Sequence, residues 1–255
     1  MGNFVQIKTE GVKNYIAITE KPFVKVLMLE KKLNLHRFSM VKQYRTNEVF
    51  YDTPGNLLSK AGIVLSKTIS PDKSFFKVER QSSLLKNFTR RKETVFIHEV
   101  GAKDSVTDHA FFLVDGIKAI FSTSFTIDLE HVLKEIVPKI VVTSEIDHWT
   151  VMSGGGFKGN LYFKKAKIKN YETKRTASFK SMRVELDSAE SYMPAFKYLI
   201  EQIDKHCKDF VEDPESLYDY CSRVTKPLPP KKKLTKEEKQ KLKQKNKKAE
   251  ETIQG

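Results

Sequence analysis

The stretch Glu48-Val49-Phe50-Tyr51-Asp52-Thr53-Pro54-Gly55-Asn56-Leu57-Leu58-Ser59-Lys60-Ala61-Gly62-Ile63-Val64-Leu65 constrains this chain more than any other. It reads as a strand, a sharp break, a short helical turn and a second strand. Val49, Phe50 and Tyr51 favour extended backbone. Pro54 cannot donate to a ladder and pushes Thr53 away from the α region. Asp52 or Thr53 can cap the turn that follows. Leu57, Leu58 and Ala61 fall at helical spacing on one apolar face. Gly62 ends the turn, as a residue able to take positive φ. A chain with this corner must build a sheet around it.

The rest of the chain agrees. Phe4–Ile7 and Tyr15–Thr19 read as short extended pieces, and Phe23–Leu33 as a longer strand. Residues 35–43 read as a short helix. Ile63–Ile69 and Ser74–Arg80 form strands joined by Ser70-Pro71-Asp72-Lys73, whose Pro-Asp pair suits a turn. Thr94–Val100 is a further strand, on which His98 is read as a surface residue. Residues 111–121 fit helix or strand equally. Asp128–Val137 reads as a capped helix stopped by Pro138. Strands follow at 139–146, 148–152, 160–171 and 178–186, and Ser191–Phe210 carries an amphipathic pattern with Phe196, Leu199, Ile200 and Ile203 on one face. Strands punctuated by helices and closed by a C-terminal helix make an α+β order. The division expected is an N-terminal extension over 1–22, a main domain over 23–225 and a tail over 226–255. That tail holds 11 Lys against 4 Glu and almost nothing apolar, so it is read as disordered.

Composition narrows the function. The chain has 255 residues and a net charge of +14, half of it outside the tail, which favours an anionic partner. Two cysteines, Cys207 and Cys221, without CxxC spacing argue against a structural zinc site and suit a reducing compartment. No signal peptide and no membrane span are read, so a cytoplasmic, intracellular location is expected. The run Lys164-Lys165-Ala166-Lys167-Ile168-Lys169 puts Lys165, Lys167 and Lys169 on one strand face near Tyr162, Phe163 and Tyr171. Such a face suits nucleic acid or polyphosphate, or is a solvated surface.

The string at 48–65 also resembles the YYDTPxxxLLKAGIxLR signature of the CYTH family, the class IV adenylate cyclases, thiamine triphosphatases and inorganic triphosphatases. The resemblance is sharp there and extends loosely over residues 23–210. It implies an antiparallel β-tunnel with flanking helices, a triphosphate or polyphosphate ligand, and Mg²⁺ or Mn²⁺. A tunnel handling triphosphate needs Lys and Arg for the phosphates and carboxylates for a hard cation. On strands these groups recur at i and i+2, because faces alternate. The family's ExExK is most similar to Met28-Leu29-Glu30-Lys31-Lys32, which keeps Glu30 and Lys32 but has Met28 in place of the first Glu. The RxR after the signature becomes Ser66-Lys67-Thr68, with both arginines missing and Lys67 on the other face. Lys77 keeps a basic position on the next strand, and Arg91-Lys92-Glu93 is similar to the family's R-x-E. The ExE strand becomes Arg183-Val184-Glu185, with Arg183 for the first Glu. The expected metal-binding Asp falls where Lys164 stands.

On the resemblance, Glu30 and Glu185 would be the catalytic and metal-holding carboxylates, and Lys32, Lys77 and Arg91 the phosphate ligands. Met28, Ser66, Thr68, Lys164 and Arg183 mark positions where family residues are lost. The expectation is a CYTH-like protein that binds a phosphate-rich anion, with catalysis reduced or lost and any Mg²⁺ or Mn²⁺ held weakly. Two alternatives stay open. One is an active divalent-metal-dependent triphosphatase acting on tripolyphosphate, thiamine triphosphate or a nucleoside triphosphate. The other is a module that binds nucleic acid or an acidic protein through its basic surface and tail.

Overall fold

Asn56 at φ 57° and Gly62 at φ 75° bracket the break in the signature stretch, both in the left-handed region. Between them lies helix α2, Leu57–Lys60. The buried Asp52 carboxylate accepts the N–H groups of Thr53 at 2.7 Å, Leu58 at 2.8 Å and Ser59 at 3.0 Å. Thr53 Oγ1 accepts that of Leu57 at 2.9 Å. Both capping candidates are used, because a buried helix start leaves several N–H groups to satisfy. Leu58 is fully buried while Leu57 is exposed, so the apolar face is narrower than its spacing predicts.

The computed structural model describes residues 3–7, 12–18, 23–29, 36–80, 93–121, 128–153, 158–186, 193–212 and 217–227. Among these, ten strands form one antiparallel sheet: β1 Asn3–Ile7, β2 Val12–Ala17, β3 His36–Asp52, β4 Ile63–Ile69, β5 Ser74–Arg80, β6 Glu93–Val100, β7 Val137–Ser153, β8 Lys158–Asn170, β9 Arg175–Leu186 and β10 Phe210–Glu212. Their spatial order is β1-β6-β5-β4-β3-β7-β8-β9-β2-β10. β1 and β2 are therefore strands of the same sheet as the rest. The helices are α1 Phe23–Leu27, α2, α3 Ala110–Phe121, α4 Leu129–Lys134, α5 Met193–His206 and α6 Leu217–Val224. The fold is α+β, as expected. Contacts divide the chain into one unit ending at Thr225 and a second beginning at Lys226. Among the described residues no helix is long and apolar enough to cross a membrane.

The sheet has two distinct faces. On one, α1 and α5 pack over β2, β9, β8 and β7 through Tyr15, Phe163, Met182, Leu199 and Ile203. On the same face, α3 and α4 cover β4, β5 and β6 through Leu65, Phe76, Val78, Ile117 and Leu133. Each of these fully buried side chains contributes roughly 1.5–3 kcal/mol of burial. Gly116 lets α3 approach β6 closely, since a Cβ there would overlap the Phe96 ring. The opposite face holds Phe50, Val64, Val142, Ile168 and Phe179, covered by α6 with Tyr218 against Phe50 and Tyr220 against Phe179.

This second face is concave. Lys77 in β5 and Lys164 in β8 have β4, β3 and β7 between them, about 19 Å in a flat sheet. Yet the same face packs Val64 of β4 into one cluster with Phe179 of β9 beneath the eight-residue α6, so the sheet curls, and Lys77 and Glu48 of β3 both act electrostatically on Lys164. A register shift between Met40 and Lys42 is a bulge, which bends and twists a strand.

Several expected elements are corrected. The strand expected over 23–33 is helical at Phe23–Leu27. Phe23 and Val26 pack on the sheet there, with the Phe23 and Phe163 rings 4.5 Å apart; the run F-V-K-V-L fits either period, and the convex core decides. The helix expected over 35–43 is the opening of β3, held by pairing with Trp149–Ser153 of β7. Residues 110–121 are helix. The helix expected to Val137 ends at Lys134, its Asp128 cap accepting from Glu130 and His131, and Pro138 lies inside β7 opposite Tyr51. His98 is buried rather than a surface residue. It stacks on Phe112 and shares a 3.0 Å hydrogen bond with His109, which in turn meets Asp104 at 2.9 Å.

Candidate functional site

Alternation places Glu48 and Phe50 of β3, Ser66 and Thr68 of β4, Lys77 and Glu79 of β5, Ser144 of β7 and Lys164 of β8 on the concave face. One end of that face is filled by apolar side chains and α6. The polar groups begin beside this plug.

Lys77 is the centre of a cluster. Its ammonium lies 3.2 Å from Glu79 and 3.5 Å from Glu48, and Ser66 Oγ donates to Glu48 at 3.5 Å. Lys77 is surrounded by protein, yet 23% of its side chain is accessible, as for a group lining an internal space. Burial alone would lower its pKa, but Glu79 and Glu48 reverse this and raise it well above the ordinary lysine value.

Lys164 behaves oppositely. Its pKa is lowered by burial, Glu48 offsets this in part, and Lys77 adds to it. No carboxylate among the described residues forms an ion pair with it, and the Phe179 ring centroid lies 5.8 Å from its ammonium. Ser144, paired with Ala166 two residues along β8 from Lys164, is buried with its hydroxyl lacking any hydrogen-bond partner. A half-buried ammonium without an ion pair and a buried hydroxyl without a hydrogen-bond partner share one concave surface. Further along, Arg183 and Glu185 of β9 are joined at 3.3 Å, and His148 stacks on Tyr162 at 4.6 Å while bonding Asn160 at 2.9 Å.

Of the positions singled out in the sequence, Lys77, Ser66, Thr68, Lys164, Arg183 and Glu185 share the concave face. Met28 does not join them. It follows α1 and is exposed, while its neighbours Val26 and Leu29 enter the convex core. Residues 23–27 form a helix, so Met28 is not on a strand of the sheet. The strand that enters the sheet before α1 is β2, and Val12-Lys13-Asn14-Tyr15-Ile16-Ala17 has no carboxylate. Glu30, Lys32 and Arg91 lie outside the described residues. Lys67 does face the other way, its ammonium donating to the carbonyls of Ala102 at 3.0 Å and Asp104 at 2.6 Å.

Glu48, Glu79 and Ser144 were missed. The signal was present: Glu79 stands two residues after Lys77, and Glu48 two before the core residue Phe50, so each shares its neighbour's face.

The described residues do not fit a Mg²⁺ or Mn²⁺ site. Among them no group of three or more His, Cys, Asp or Glu is arranged to hold a metal ion. Glu48 and Glu79 are engaged by Lys77, and Glu185 by Arg183, so these carboxylates are already paired with cations of the chain and make poor ligands for a hard cation.

No protein-family model and no curated protein sequence matches the chain. Solved structures similar to it include a protein from Hippeastrum described as an adenylyl cyclase candidate with a dominant triphosphatase activity. It is 12% identical, with 86% of this chain and 97% of that one covered and a TM-score of 0.48. Another is an adenylate cyclase candidate from Bacillus halodurans, 9% identical, with 82% and 98% covered and a TM-score of 0.48.

Proposed function

We propose that this chain is a divergent CYTH-type protein that binds a phosphate-rich anion on the concave face of its curled sheet, with hydrolysis reduced or lost. The observation that carries the reading is Lys164. An enclosed ammonium without a carboxylate is costly, and an anion bearing several oxygens would match it. Ser144 would donate its free hydroxyl to the same ligand, and Lys77 would add a second charge held in place by two glutamates. Such charge-assisted hydrogen bonds are the strong kind.

Weak or absent hydrolysis follows from the donor set. Ser66 and Thr68 supply hydroxyls where the family signature leads to arginines, and hydroxyls cannot clamp a phosphate bidentately. Glu48, Glu79 and Glu185 are paired with Lys77 and Arg183, which leaves them poor partners for a metal. No step is therefore assigned to Mg²⁺ or Mn²⁺.

Titration calorimetry with tripolyphosphate, alongside release of inorganic phosphate, tests the reading. Binding that survives chelator, weakens on Lys164→Met and occurs without turnover is expected. Metal-dependent phosphate release at an enzyme-like rate would instead establish the active triphosphatase.

A further inference from the structure

β8 turns Lys165, Lys167 and Lys169 onto the convex face, opposite to Lys164, and all three are exposed. Helices α1 and α5 cover that face as far as Phe163 and Met182. Beyond those residues no described element lies over the lysine row. Successive lysines stand about 6.7 Å apart along the strand.

The register makes this row unusual. Lys167 sits between Thr143 and Ser178, and Lys169 between Val141 and Thr176. A solvated lysine row on a sheet gains from carboxylates directly opposite, and these two have none. Lys165 alone faces one, Glu145, and that carboxylate is bound by Arg45 at 2.8 Å. At the end of the row, Lys169 Nζ lies 4.6 Å from the centroid of the Tyr171 ring, which is itself 48% exposed.

We propose that this uncovered sheet face binds single-stranded nucleic acid, with the lysine row tracking successive phosphates and Tyr171 stacking on a base. A sheet surface with an exposed ring suits unpaired bases that can splay out. A duplex hides its bases, and inorganic polyphosphate has no group to stack on Tyr171. The surface is separate from the concave site, so the two proposals stand or fall independently.

Fluorescence anisotropy of the full-length protein with a labelled single-stranded oligouridine tests this across a salt series. Lys165→Glu/Lys167→Glu/Lys169→Glu should weaken binding at least tenfold and reduce the slope of log K against log salt by about 2. Tyr171→Ala should weaken it about tenfold. Lys103→Glu/Lys118→Glu/Lys134→Glu makes the same charge change at exposed sites on other elements and should cost clearly less. Lys167→Ala/Lys169→Ala, a milder pair, guards against misfolding of the triple variant. The proposal is overturned if the control triple weakens binding as much, if the wild type does not bind, if double-stranded RNA binds equally well, or if Tyr171→Ala has no effect while polyphosphate displaces the RNA at equal phosphate concentration.

Discussion

Lys77 Nζ reaches across β4 to Glu48 at 3.5 Å, and on its own strand to Glu79 at 3.2 Å. One ammonium thus joins the first strand of the signature corner to the strand after it, on the concave face of the sheet. Removing Glu48 leaves Lys77 one carboxylate short. Glu48→Gln should cost about 1–2 kcal/mol, below the cost of breaking a fully buried pair because solvent reaches the cluster. Glu48→Gln/Lys77→Met should recover part of the loss, as read from urea midpoints.

Lys164 should separate binding from stability. Lys164→Met removes an unmatched enclosed charge and should raise the stability of the ligand-free protein by about 1 kcal/mol. It should weaken tripolyphosphate binding by roughly tenfold or more. A thermal melt and a calorimetric titration on one preparation check both; a loss of both stability and affinity would mean the residue is structural.

The two lysines should respond to alkali in opposite directions. Lys77 has a raised pKa in the folded protein, so its stabilising contribution is full below the unfolded value of about 10.4 and is lost as pH climbs through the folded one. Lys164 has a lowered pKa, so the folded state sheds its proton first and stability rises between the folded value and about 10.4. Anion affinity should fall over that same interval, before ordinary lysines titrate. Binding and urea midpoints measured from pH 7 upward, in wild type and Lys164→Met, test this.

The signature corner should matter to stability and not to ligand. Asp52→Ala leaves three N–H groups without their acceptor and should cost about 2 kcal/mol or more. Asp52→Asn should cost less, because one amide oxygen remains. Denaturation midpoints fall in that order, and tripolyphosphate affinity of the folded fraction should stay unchanged.

Gly116→Ala tests the closeness of α3 to β6. The added methyl would overlap the Phe96 ring, and overpacking of this kind typically costs 1–3 kcal/mol. Phe96→Leu in the same chain should relieve part of it.

Much of this was legible in the sequence because it is local. Asp52 and Thr53 cap a turn a few residues away, Gly62 needs only its own dihedral freedom, and alternation put Ser66 and Lys77 on one face with Lys67 on the other. Where the sequence misled, two periods competed over too few residues. Phe23–Leu27 fits helix and strand alike, and so does the run from Arg37 to Gln43; the first became a helix because the convex core of Phe163 and Phe210 needed covering, the second a strand because β7, seventeen residues long, pairs along it. Local pattern thus determined the corner, the faces and the α+β order. Only the tertiary structure decided that Glu48, Lys77 and Lys164, from three strands that are not all neighbours, would act on one another. That depends on the curl of the whole sheet, a sum of small twists and a bulge that no short window of residues contains.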